Sequence, residues 1–91
     1  MSEESQVRVR RLPAGEFRNG FETGWTARML EIEFVDGATP PELTAGAPVE
    51  VELEARLCLG VVQASQRSGI SVLVEHSLES GQMDWIRDVW G

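Results

Sequence analysis

The sequence predicts a mainly β protein, a small antiparallel barrel or sandwich of four to six strands followed by a short C-terminal helix. Three observations carry that prediction. Val49, Val51, Leu53, Ala55, Leu57 and Leu59 alternate with Glu50, Glu52, Glu54 and Arg56, the period-2 pattern of a strand with one dry and one wet face. From Leu57 to Val62 the alternation becomes a continuous apolar run, as in a strand covered on both faces. After a Gly-containing turn, Ile70, Val72, Val74 and His76 alternate again, so the stretch 48–78 reads as two long strands joined by that turn.

The remaining elements come in chain order. Residues 1–6 are polar and expected to be frayed and disordered, with a single domain spanning 7–91. Val7 and Val9 alternate with Arg8 and Arg10, a short edge strand that Arg11-Leu12-Pro13 ends. Pro13 to Gly24 carries Gly15, Gly20 and Gly24 between Phe17 and Phe21, which suits a loop or loose hairpin anchored on its aromatics. Residues 25–34 read as a strand whose two apolar sets, Leu30/Ile32/Phe34 and Trp25/Ala27/Met29, require a bulge near Met29 or an outer cover. Asp36-Gly37 signals a tight turn, and Pro40, Pro41, Gly46 and Pro48 mark a connecting loop. Finally, Ser80 is a candidate cap for a helix over about 82–90, with Met83, Ile86, Val89 and Trp90 at helical spacing. So short a helix forms mainly by docking its apolar side, and the run Leu57–Val62 is a surface for it to cover.

Composition bounds the function. The 91 residues and 42% hydrophobic content suffice for one modest core without disulfide or metal. Cys58 is the one cysteine, so no intramolecular disulfide is possible and a reducing compartment is expected. The start, MSEESQ, lacks the apolar core of a secretory signal, and no apolar run is long enough for a membrane-spanning helix. The expectation is a cytoplasmic protein with no membrane insertion.

The net charge is -7, with arginine as every basic residue. Residues 1–20 hold four arginines against three glutamates, whereas residues 21–91 hold four arginines against twelve acids. A body that acidic repels nucleic acid. The candidate anion patch is Arg8, Arg10 and Arg11, which serve either as a phosphate clamp or as a solvated tail neutralising the barrel.

The order of these patterns, with "AGAPVEVELE", "LGVV", a Gly turn and "VLVEHSL", resembles a PilZ domain over roughly Arg8 to Leu78. That resemblance implies a bacterial six-stranded antiparallel β-barrel, often followed by a helix, and in many members a receptor for cyclic diguanylate (cyclic-di-GMP). The family grips its ligand with an RxxxR pair ahead of the barrel and a D/N-x-S-x-x-G run on an early strand. Arginine suits phosphate and guanine because its planar fork pairs with one and stacks on the other. Here Leu12, Ala14 and Gly15 stand four residues beyond the arginines, so no RxxxR is present. In the second motif Glu31 stands at the Asp/Asn position, Glu33 at the Ser position, and Gly37 falls one residue late. Each glutamate near a dianionic ligand costs on the order of 1 kcal/mol.

The expected function is therefore a non-enzymatic PilZ-like signalling and protein-interaction domain with a degraded cyclic diguanylate site, needing no cofactor or metal. Its partner is an unidentified protein, with Trp85 and Trp90 as candidate anchors and a homodimer also compatible. Two alternatives stand beside it. One is a working receptor that uses Arg8, Arg10 or Arg11 in an unusual register. The other is a small thiol enzyme built on Cys58, with His76 as its partner on a neighbouring strand. Glu50, Glu52 and Glu54 share one face, a metal or basic-partner stripe in one reading and a plain solvent face in the other.

Overall fold

Two short turns cut what the alternation joins. The computed structural model describes residues 5–79, which form β1 (Ser5–Arg11), β2 (Arg18–Thr26), β3 (Met29–Phe34), β4 (Pro48–Leu53), β5 (Arg56–Ser65) and β6 (Gly69–Glu79). The helix expected over 82–90 lies outside the described residues. Leu53 pairs directly with Arg56, leaving Glu54-Ala55 as a two-residue hairpin loop. Each such reversal resets which parity faces inward. Val49, Val51 and then Cys58 and Val62 point into the core, while Leu57 and Leu59, expected on the dry face with Val49, are half-buried on the outside.

The wrinkle near Met29 has the same explanation. Thr26 pairs with Met29, so Ala27-Arg28 forms a second two-residue loop rather than a bulge. Ala27 adopts a φ of 54° there, the left-handed conformation that such hairpin turns require and that a Cβ disfavours. The bulge sits earlier, between Glu22 and Gly24. The segment read as a loop or loose hairpin is β2 from Arg18 onward, and β1 begins at Ser5, ahead of the expected Val7.

The strands close into a barrel in the order β1-β2-β3-β6-β5-β4, every neighbouring pair antiparallel. Two three-stranded meanders are thus joined along two seams, β3 with β6 and β1 with β4. The expected edge strand β1 is not an edge. It pairs with β2 on one side and with β4 on the other, Val9 standing opposite Val51. Closure removes the unpaired backbone groups that an edge would present.

In this ring β3 and β4 lie opposite each other, so the connection through residues 35–47 must cross one barrel end. Gly37 starts it, donating its N–H to the Phe34 carbonyl at 3.0 Å. Leu43 and Ala47 are buried beneath it with Val7, Val9, Leu30, Ile32, Phe34, Ile70 and Val72. Thr39 ties the crossing to the β5–β6 turn through Arg67 O at 2.8 Å, and Gly46 N–H donates to Val62 O at 2.7 Å. Trp25 and Leu53 pack against the core near the other end.

Gly60 sits at a register shift in the β5–β6 ladder, where a Cβ would overlap the Leu73 carbonyl. The Gly60→Ala variant should therefore lose more than about 2 kcal/mol in urea unfolding, because backbone rather than a movable side chain is in the way. Ala27→Gly should gain up to about 1 kcal/mol in the same assay by removing the left-handed strain.

Candidate functional site

The arginine run is built into the barrel wall. Because Val7 and Val9 fill the core, Arg8 and Arg10 must point outward. The β1–β4 register sets Arg8 opposite Glu52 and Arg10 opposite Glu50, so opposite charges meet across the seam. Arg10 Nε donates to Glu50 Oε1 at 2.8 Å. Arg8 Nε donates to Glu52 Oε1 at 3.1 Å, and its terminal nitrogen bonds the same oxygen. Above them lies Phe17, with the Arg8 and Arg10 guanidinium carbons 4.5 Å and 5.0 Å from its ring centroid. Cation–aromatic contact of this kind adds to the pairing.

Arg11 takes a different role, donating Nη1 to the Glu42 carbonyl at 3.0 Å. Arg18 Nε donates to the Glu42 carboxylate at 2.9 Å. A hydrogen bond from its own backbone, then the bond and charge of Arg18, hold the Glu42 carboxyl below its ordinary range despite partial burial. All four arginines of residues 1–20, Arg8, Arg10, Arg11 and Arg18, thus contact a glutamate. A groove of about 590 Å³ lies beside this cluster and includes Arg8, Gln6, Asn19, Phe21, Val35 and Glu52 in its lining.

Glu31 and Glu33 occupy the outer side of β3, separated from β1 by β2. Two strand spacings amount to about 10 Å, so the arginines and these glutamates do not form one compact cluster. Glu31 is half-buried and accepts a hydrogen bond from Ser71 Oγ at 2.6 Å, whereas Glu33 is exposed. Gly37, with φ 73°, ends the turn after β3 and is exposed. Trp85 and Trp90 lie outside the described residues.

The Cys58–His76 pair does not form. Register places Ser77 opposite Cys58 and His76 opposite Leu59, so the thiol points into the core while the imidazole is exposed. Burial pushes the Cys58 thiol up, partly offset by Ser77 at 3.9 Å. Such a thiol is a poor nucleophile. Among the described residues no group of three or more His, Cys, Asp or Glu is placed to hold a metal ion. No buried side-chain nitrogen or oxygen among them lacks a hydrogen-bond partner. No helix among them is long and apolar enough to cross a membrane.

The sequence singled out the arginines and the Glu50/Glu52/Glu54 stripe separately; it did not join them. Phe17 read as a core anchor and instead covers arginines on the outside. Alternation within β1 and β4 carried half of that signal, and the other half required the register between strands far apart in sequence. No family model matches the chain, and neither a curated protein nor a solved structure matches it.

Two outcomes are expected. In double-mutant cycles the coupling of Arg10 with Glu50, the less exposed pair, should exceed that of Arg8 with Glu52; both should stay under about 1 kcal/mol and shrink with added salt. For Cys58, a raised folded-state pKa means that stability is full below the unfolded thiol's ordinary 9.0 and is lost as pH rises through the folded value. Urea midpoints should therefore fall more steeply above pH 9.0 for the native protein than for Cys58→Ala.

Proposed function

We propose that this chain is a non-enzymatic, PilZ-like interaction barrel, cytoplasmic and bacterial in type, whose anion clamp has been converted into part of its own wall. The observation that carries the reading is the pairing of Arg8 with Glu52 and Arg10 with Glu50 under Phe17. A cyclic dinucleotide would have to displace both carboxylates before its phosphates reached these guanidiniums. It would gain little beyond what it broke, since one charge-assisted hydrogen bond replaces another. Glu31 and Glu33 on the outer side of β3 add repulsion toward a dianion.

The closed six-stranded antiparallel barrel is compatible with the PilZ resemblance, and the motif departures at Glu31, Glu33 and Gly37 support loss of the ligand. With the arginines engaged, recognition falls to apolar surface and to the C-terminal segment that carries Trp85 and Trp90, expected as a helix over 82–90. The partner in this reading is a protein.

Isothermal titration of the folded protein with cyclic diguanylate at low salt tests the proposal. No binding heat is expected. Micromolar or tighter binding that is lost in Arg8→Ala/Arg10→Ala/Arg11→Ala would overturn it and make the chain a nucleotide receptor with an atypical clamp. A Glu50→Gln/Glu52→Gln variant, which frees the same guanidiniums, is the one expected to acquire weak affinity for the dinucleotide.

A further inference from the structure

The groove beside the arginine cluster continues past it. It shares Asn19 and Val35 with a second concavity of about 360 Å³ that Asp36 and Pro40 help to line. The two adjoin across those side chains and form one trough, from Glu54 in the β4–β5 turn to the start of the 35–47 crossing. Register explains its floor. Val7, Gly20 and Phe34 make an inward row across β1, β2 and β3, which puts Asn19, Phe21 and Val35 on the outward parity. Phe21 is half-buried there, and Val35, at 55% exposure, is the exposed large apolar side chain among the described residues.

We propose that this trough binds a basic, extended segment of a partner protein, with an apolar side chain seated on Phe21 and Val35 between two cationic ones. The inference rests on the protein-interaction reading above and names the chemistry of the partner. Charge decides its sign. Of the arginines in the lining, Arg8 is paired with Glu52 and Arg18 with Glu42. Glu54 toward one end and Asp36 toward the other are exposed, and neither lies in an ion pair among the described residues. On a chain of net charge -7, uncompensated carboxylates draw in cations and repel anions. A second copy brings the same charge and the same carboxylates, so it is a poor occupant.

The dimensions suit an extended chain. From β4 across β1 and β2 to β3 there are three strand spacings, about 14 Å, which about four or five extended residues cover. In such a segment alternate side chains share a face. An apolar residue over Phe21 and Val35 therefore has its neighbours two positions away directed at the same wall, and long cationic stems carry their charges outward to Glu54 and Asp36. The exposed amides of Gln6 and Asn19 line the trough between them and can each donate to and accept from a peptide backbone.

The test is selection of a random heptapeptide display library on the immobilised full chain, followed by fluorescence anisotropy of the enriched peptides. Enriched sequences should carry net positive charge with an apolar residue between basic ones, and their binding should weaken with added salt. Val35→Ser, and separately Glu54→Gln/Asp36→Asn, should each weaken binding by about fivefold; circular dichroism establishes that these variants are folded. Glu75→Gln, at an exposed position on β6 outside the trough, should leave binding unchanged. No enrichment, enrichment of acidic or uncharged peptides, or binding that either trough variant leaves intact overturns the inference. Self-association that Val35→Ser abolishes, with no peptide enriched, overturns it in favour of a second copy. Basic peptides bound elsewhere on the barrel remove the trough and keep the interaction reading. Cyclic diguanylate binding alongside the expected peptide results removes only that reading's loss of the nucleotide.

Discussion

The β1–β4 seam is the constraint on which the rest depends. Without it the two meanders would form an open sheet with bare edges at β1 and β4, and the residues of β1 would be an appendage. With it, Val9 meets Val51 inside the barrel while Arg8 and Arg10 meet Glu52 and Glu50 outside. The inner contact removes apolar area from water, which is the larger stabilising term. The outer contact specifies register, because a one-residue slip would bury the charges and expose the valines. Crossing of the 35–47 connection over one barrel end, with Leu43 beneath it, requires that the ring be closed under it.

The same seam determines what the surface can recognise. A basic strand on an acidic barrel is an anion site only while its guanidiniums are free. Here register supplies Arg8 and Arg10 with a carboxylate each beneath Phe17, and Arg11 bonds the Glu42 carbonyl. The charges of Arg8 and Arg10 are thus neutralised within the wall, along a charged strip at β1–β4.

Much of the core was legible in the sequence. Val7/Val9, Leu30/Ile32/Phe34, Val49/Val51 and Ile70/Val72/Val74 alternate as they should, and all are buried. The Asp36-Gly37 turn lies where the residues place it. The misreadings of strand parity arose at two places with a common cause. Ala27-Arg28 and Glu54-Ala55 are reversals made without glycine or proline, so they left no local mark. Each inverted the parity of the strand after it, which is why Leu57 and Leu59 face out and Cys58 faces in. Of the candidate site, the arginines were visible as a run and the glutamates as a stripe, yet their partnership was not. Glu52 is 44 residues from Arg8, and no local pattern reports a contact at that separation.

By itself the sequence determined a β domain with a Val/Ile/Leu core, an acidic wet surface, a lone cysteine within an apolar run and an amphipathic C-terminal stretch. Local alternation and composition suffice for these because they concern which side chains avoid water, a property of each residue and its immediate neighbours. Tertiary structure alone decided that the sheet closes, that β1 is a wall strand, and that each arginine of the seam meets a glutamate. It also decided that Cys58 and His76 part company. Those outcomes depend on strand register across the ring, and register is fixed by the simultaneous burial of one face of every strand.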